Sequence, residues 1–402
     1  MAERVALLYN LQQGGHMRAH KIMVRMNDEE KTLIDQASSG QGLNTSAWSR
    51  MELIRAARGC QPDKSENKSQ ISLPLLSLFC GAGGLDEGFR QAGFSTQLAI
   101  DIDKECINTF KANHPNAKTY KCDIRNLDLS SIDEVAGNKI EPIGVIGGPP
   151  CQSFSVSNVY QKDNDPRHEL PEVYADLLGN LNKRSPISFF VFENVPGLLG
   201  KKHKPRYDWF KKLFSKCGFE LHENLLNALD YGVPQDRPRI IIIGINRELY
   251  PAAVWSPPEK ENGIRTLTVR DIISGLPEPV FNSPGLDPND FPVHPNHWCL
   301  VPRSKKFKDK KKLVEGQAYG RSFRTLAWDK PSWTVAYGHR EVHVHPNGKR
   351  RLSMYEALLL QSFPKTYRLT GNMTAQINLV SEAVPPRLAW YVACSIRRCL
   401  GI

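Results

Sequence analysis

The sequence predicts an α/β protein: a mostly parallel sheet covered by helices on both faces, joined to a smaller irregular region. Three observations point there. Apolar runs at Leu75–Phe79, Leu98–Asp101, Ile143–Gly147, Phe189–Glu193 and Arg239–Ile245 alternate with helix-length stretches, the pattern of strands buried on both faces. A glycine-rich turn, Phe79-Cys-Gly-Ala-Gly-Gly-Leu85, follows the first run and leads into a helix. Helices with apolar faces return at Leu352–Gln361 and Pro385–Leu400, so both ends of this stretch belong to one core.

In chain order, residues 1–16 show no period. Gln13-Gly-Gly-His16 before Met17 can be encoded by a purine-rich ribosome-binding stretch, so translation is expected to begin at Met17, leaving 1–16 as an untranslated or disordered leader. Lys21 to Met26 alternate, with Ile22, Val24 and Met26 on one strand face and Lys21, Met23 and Arg25 on the other. Asn27, with Glu30 as reciprocal cap, starts a helix carrying Leu33 and Ile34. Thr45 or Ser46 starts a second helix that runs through Trp48, Met51, Leu53 and Ile54 to Gly59. One strand and two helices over 17–60 bury little core alone, a shortfall that oligomerisation supplies. This β-α-α segment resembles the ribbon-helix-helix family, in which two chains pair strands into a ribbon that enters the major groove. The resemblance implies a homodimer with Lys21, Met23 and Arg25 facing the bases; a packing arm without DNA contact is the alternative. Residues 61–72 read as a polar linker, 73–250 as the sheet domain, 251–345 as a second region rich in proline, aromatic and basic residues, and 346–402 as helices returning to the sheet.

Function collects at strand ends. Glycines in the first turn let backbone amides approach a ligand, and Asp101 closes the next strand twenty residues after Gly81, a spacing suited to a carboxylate receiving ribose hydroxyls. Ile102 can cover an adenine face, and Cys122-Asp123-Ile124 lies at the following strand end. Gly147-Gly-Pro-Pro-Cys-Gln-Ser-Phe154 sits at the carboxyl edge of its strand, with two prolines fixing the backbone ahead of Cys151. A cysteine attacks as thiolate, so its free pKa of about 8.5 must fall or its proton must leave during reaction. Cys80, Cys106 and Cys217 read as core thiols. Glu193, after four apolar residues, is a carboxyl that desolvation can keep protonated, or a helix cap. Gln235-Asp-Arg-Pro-Arg239 supplies two guanidinium groups, catalytic or structural.

Composition narrows the class. With 40% hydrophobic and 24% charged residues, coiled-coil, collagen-like and wholly disordered chains are excluded. No apolar stretch is long enough to span a bilayer and no signal peptide is legible, so a cytoplasmic, nucleoid-associated protein is expected. Nine cysteines without a CxxC pair indicate reduced thiols and no metal site. A net charge of +11 favours a polyanionic partner, and residues 251–350, with 16 Lys/Arg against 10 Asp/Glu, carry over half of it.

Taken in order, Pro150-Cys-Gln152, Glu193-Asn-Val195 and Gln235-Asp-Arg-Pro-Arg239 resemble the blocks of the DNA cytosine carbon-5 methyltransferases, and Arg351 to Pro364 resembles that family's helix bracing the recognition region. The match covers about residues 74–250 and 318–396. It implies a Rossmann-like S-adenosylmethionine-dependent methyltransferase sheet with a smaller target-recognition domain, acting on double-stranded DNA within restriction-modification, with a cognate endonuclease acting separately. The cofactor implied is S-adenosyl-L-methionine, held by Phe79, Gly81, Gly83, Gly84, Asp101, Ile102, Asp123, Ile124, Pro149 and Glu382. Where the family usually has Gly-Asn this chain has Ser381-Glu382, so an altered cofactor affinity is expected. Cys151, Glu193, Arg237 and Arg239 become the catalytic set, the last two engaging the base carbonyl or the catalytic loop. A polar stretch from Ser155 to Leu170 would close over DNA. Gln152, Ser153, Arg167, Lys201, Lys202, Arg303, Lys305, Arg321, Arg324, His339 and Arg340 are the expected DNA contacts, most of them to phosphate. The alternatives are a transfer RNA cytosine methyltransferase, disfavoured by the long recognition region, and a repressor with an inactive methyltransferase domain, disfavoured by the intact catalytic residues.

Overall fold

The structure, a computed structural model, describes residues 4–13, 16–25, 31–36, 73–150, 166–260, 265–309, 312–320, 323–334 and 342–402. Strands β1 (Arg4–Gln13) and β2 (His16–Arg25) form an antiparallel hairpin, followed by a helical stretch over 31–36. The strand expected over 21–26 thus lies largely within β2. It pairs with Arg4–Gln13, placing Lys21 opposite Leu8, Met23 opposite Ala6 and Arg25 opposite Arg4. Residues 4–13 form β1, and Val5 to Leu8 is a continuous apolar run, which periodicity cannot assign. The second expected helix and the linker lie outside the described residues.

From Leu73 the chain builds a seven-stranded sheet. Its elements are β3 (Leu73–Leu78), α1 (Gly84–Gln91), β4 (Phe94–Asp101), α2 (Lys104–Asn113), β5 (Lys118–Lys121), α3 (Leu129–Ala136), β6 (Gly144–Gly147), α4 (Leu170–Arg184), β7 (Phe189–Asn194), α5 (Lys204–Lys216), β8 (Phe219–Asn227), a two-residue β9 (Gln235–Asp236) outside the main sheet, and β10 (Pro238–Asn246). The order is β5-β4-β3-β6-β7-β10-β8. Neighbours from β5 through β7 are parallel, and β10 runs antiparallel to both β7 and β8.

Alternation along buried strands splits the core between two faces. Phe190 and Phe192 point with Leu76, Leu78 and Ile240 toward α4 and α5, where Tyr174, Phe210 and Phe214 complete one cluster. Phe189 and Val191 point with Leu75, Ile241 and Ile243 toward α1 and α9 (Pro386–Leu400, after α6 to α8 below). Helices α1 and α9 touch backbone to side chain: a Cβ on Gly88 would collide with the Pro386 carbonyl, the Ala389 Cβ and the Trp390 amide.

The sheet domain does not stop at residue 250. Trp255 is buried in the second cluster and donates to Ser395 Oγ at 2.9 Å, because its ring completes the apolar layer under α9. Beyond it, the described residues of the recognition region form one short α-helix, α6 (Val269–Ile273), 3-10 turns and two-residue strands. Its apolar side chains, Val269, Trp298 and Leu326, pack against α7 (Met354–Leu360) and α8 (Met373–Glu382). Polar ties reinforce this brace: Asn296 donates to Leu369 O and Gln376 Oε1, and Arg350 meets Glu356 in a buried pair at 2.8 Å. Among the described residues no helix is long and apolar enough to cross a membrane.

Candidate active site

The carboxyl ends of β3, β4, β6 and β7 converge, and each delivers one functional group. After β3 the chain turns sharply: Phe79 takes a positive φ of 53°, Gly81 53° and Gly83 75°, and the Gly83 amide closes the turn on Cys80 O at 2.8 Å. A left-handed aromatic residue is strained and is held here by its neighbours. The Gly81 amide donates to Asp101 Oδ2 at 2.9 Å, tying the turn to the end of β4. Asp101 also accepts from the Asp103 amide at 2.9 Å and from the Cys106 thiol. Burial pushes its carboxyl up, and these bonds oppose the shift. Ile102 beside it is 58% exposed.

The three glycines do different work. Gly81 faces open space, its nearest potential Cβ contact being Phe79 O at 3.9 Å. A Cβ on Gly83 would lie 2.6 Å from Tyr367 Oη, and one on Gly84 would collide with Val384 O. Gly83 and Gly84 therefore admit the chain's own C-terminal segment on the side where a Cβ would stand. Asp123 and Ile124 lie at the end of β5. Asp123 receives Arg125 through Nε and Nη2, which holds its carboxyl below the usual range, and the Ile124 side chain is buried in the core. A cavity of about 690 Å³, with no signal in the sequence, opens beside Ile124 and Arg125 against Val173 and Asp176 of α4. Glu382 ends α8 exposed, with its charge felt at the Cys106 thiol.

Glu193 occupies the end of β7, 11% exposed at its side chain, paired with Arg239 Nε at 2.9 Å. The antiparallel register sets Ile241 opposite Glu193, so Arg239 starts two residues upstream on the neighbouring strand. Burial pushes the Glu193 carboxyl up, against the pull of Arg239 and Arg237. A Cβ on Gly148 would lie 2.6 Å from Glu193 Oε2, and Pro149 O accepts from Asn194 at 3.3 Å. Gly148 and Pro149 thus leave β6 directly against this carboxyl and its neighbour Asn194. Cys151, Gln152, Ser153 and the loop to 165 lie outside the described residues. Arg237 is fully buried and donates to Ser381 O at 2.8 Å and Ala383 O at 2.7 Å.

The residues 73–398 match the family of C-5 cytosine-specific DNA methylases. The chain belongs to that family. It is a DNA cytosine-5 methyltransferase. It is 32% identical over 354 residues to the type II methyltransferase M.MthTI of Methanothermobacter thermautotrophicus, covering 82% of this chain and 98% of that relative. It is 30% identical over 350 residues to M.NgoPII of Neisseria gonorrhoeae, covering 82% and 96%. A solved structure described as a DNA modification methyltransferase from an Escherichia coli prophage superposes with a TM-score of 0.69 at 24% identity, over 82% of this chain and all of that one. In this methylase Lys201 and Lys202, just before α5, and Arg303 and Lys305 in the recognition region are exposed, whereas Arg167 is half-buried. Arg324 is half-buried as well, its guanidinium carbon 6.0 Å from the Trp333 ring centroid. Arg321, His339 and Arg340 lie outside the described residues. Sequence reasoning missed that basic residues here also pack: Lys306 Nζ lies 4.1 Å from the Phe323 ring centroid and Arg351 4.7 Å.

Proposed function

We propose that this methylase transfers a methyl group to carbon 5 of a cytosine flipped out of a specific duplex sequence, in restriction-modification, with Cys151 as nucleophile. The observation that carries this reading is the Glu193–Arg239 pair packed on Gly148, three residues before Cys151. The cleft between the glycine turn and Asp101 suits S-adenosyl-L-methionine. Gly81 offers unobstructed backbone, Asp101 is fixed by Gly81 and Asp103 amides with carboxylate lone pairs left for hydroxyls, and Ile102 is an exposed apolar cover. The cofactor supplies the methyl group when bound.

The chain's residues do the rest. Carbon 5 of cytosine is a poor nucleophile, and addition of the Cys151 thiolate to carbon 6 makes carbon 5 enamine-like. Glu193, its carboxyl raised by burial, donates to ring nitrogen 3 as negative charge develops there. Arg239 holds Glu193 in place and presents its guanidinium to the base carbonyl. Carbon 5 takes the methyl group and loses its proton, after which the thiolate leaves. The base must leave the stack, at a cost of a few kcal/mol. Lys201, Lys202, Arg303 and Lys305 would hold phosphates.

Incubation with labelled cofactor and unmethylated duplex, followed by bisulfite sequencing, is expected to mark cytosines. Label in transfer RNA with none in DNA would overturn the substrate. An oligonucleotide carrying 5-fluorocytosine at the target is expected to become trapped on wild-type protein and not on Cys151→Ala; no adduct on wild type would remove the nucleophile. A separate proposal concerns the N-terminal arm: residues 17–60 add duplex affinity in the manner of a ribbon-helix-helix dimer, supported by the alternation of Ile22, Val24 and Met26. Deletion of residues 1–65 should weaken promoter binding and self-association without loss of methylation, and unchanged binding and mass would exclude it.

A further inference from the structure

Arg237 sits within five residues that touch three parts of the protein. Ahead of it, Gln235 and Asp236 pair with Ser332 and Trp333 of the recognition region. Two residues after it, Arg239 pairs with Glu193. Arg237 itself reaches in a third direction, to the end of α8. Ser381 is in the last turn of that helix and Ala383 is its C-cap, so both carbonyls belong to the group that a helix leaves without intrahelical donors. They also carry the negative end of the helix dipole, where a guanidinium is favoured. A buried arginine donating to both is a side-chain cap on α8.

What α8 carries explains the need for a cap. The chain after Ala383 runs straight onto the glycine turn, with Val384 O against Gly84 and Tyr367 donating to Ala82 O. That segment is the back wall of the turn whose Gly81 amide fixes Asp101. Between the two pinned carbonyls stands Glu382, the residue replacing an expected asparagine. Its charge reaches Cys106, whose thiol donates to Asp101.

We propose that Arg237 is a positioning residue for the methyl-donor cleft and not a base contact: by capping α8 it fixes the wall behind the glycine turn and holds Glu382 where its charge reaches Cys106, the thiol that donates to Asp101. This rests on the reading of that cleft as the cofactor site. The test uses full-length Arg237→Lys, whose side chain is one atom shorter and does not carry its ammonium to the position of Nη2, the one nitrogen that donates to both carbonyls, and Ala383→Gly, which loosens the accepting segment without touching Arg237. Calorimetric titration with S-adenosyl-L-homocysteine is expected to show at least fivefold weaker binding for Arg237→Lys and a smaller loss in the same direction for Ala383→Gly. The KM for the methyl donor should rise in parallel, while kcat and its pH profile at saturating donor and DNA stay at wild-type values, because Glu193 keeps Arg239.

A merely structural arginine would alter the melt and kcat together, and a base contact would lower saturated kcat with unchanged calorimetric affinity; either result overturns the proposal. If Arg237→Lys fails to fold by circular dichroism, Ala383→Gly decides alone, and unchanged affinity there refutes it. Absence of binding to wild-type protein would instead remove the cofactor reading beneath it.

Discussion

Replacing Arg239 by Met keeps most of the side-chain bulk and removes the charge facing Glu193. The two groups are 2.9 Å apart with side chains only 9% and 11% exposed, so the carboxylate left behind has little water to turn to. Breaking such a pair from one side costs about 3–5 kcal/mol. The sign of the pH dependence follows from Glu193. Its folded carboxyl already lies above the ordinary value because burial outweighs the guanidiniums. A raised acid contributes stability that is complete below its unfolded value and is lost as pH rises through its folded value. Without Arg239 the folded value moves higher still, so Arg239→Met is expected to lose more stability against wild type at about pH 8 than at about pH 5. Urea denaturation at both pH values measures this. Glu193→Gln combined with Arg239→Met removes both charges and should recover most of the loss. A cost below about 1 kcal/mol at the higher pH, or a double variant no better than the single, would refute the claim that Arg239 neutralises a buried carboxylate.

Asp86 accepts from Ser77 and Thr96 but is buried, which pushes its carboxyl up to about 6 from an ordinary 3.8. At about 1.4 kcal/mol per pH unit this amounts to an upper bound of about 3 kcal/mol lost as pH rises through that window. Asp86→Asn should gain on wild type between about pH 4 and 7 in the same urea assay, and parallel stability curves would contradict it. Gly88→Ala gains about 1 kcal/mol of helix propensity, yet its methyl meets α9 backbone, where overpacking costs typically 1–3 kcal/mol or more, so the melting temperature should fall. Gly148→Ala places a methyl 2.6 Å from Glu193 Oε2, an oxygen whose carboxylate is anchored by Arg239. Its single-turnover methylation rate should drop by about 100-fold, as expected when a reacting group moves by about 1 Å, with the melt little changed. A rate near wild type would free Gly148 from that role.

The parallel strands were legible because burial on both faces leaves runs such as Phe189–Phe192 that no polar residue interrupts. The edges of the same sheet were not. β8 reads Phe-Glu-Leu-His-Glu-Asn-Leu-Leu-Asn, with Glu220 and Glu223 kept in water, and β5 is four residues beginning and ending in lysine. Glu193 and Arg239 were legible as a polar residue at the end or start of an apolar run. Gly83, Gly84 and Arg237 were visible as motif residues, but their contacts with Tyr367, Val384 and Ser381 were not, since those partners are joined to them only through tertiary contact.

The same holds along the segment Gln235–Arg239. Gln235 and Asp236 spend their backbones on Ser332 and Trp333, and Asp236 also accepts from Asn227. Arg237 caps α8, Pro238 holds φ near the value required to enter β10, and Arg239 neutralises Glu193. Each position answers to a different element, so each demands one residue type while no two share a local cause. A motif of that kind is conspicuous in sequence because every position is constrained, and opaque in sequence because the constraints arrive from residues separated by up to about 150 positions along the chain. The chemistry assigned to such a motif must therefore be divided residue by residue on contacts: here one arginine faces the Glu193 carboxyl, and its neighbour two positions away faces the wall behind the glycine turn.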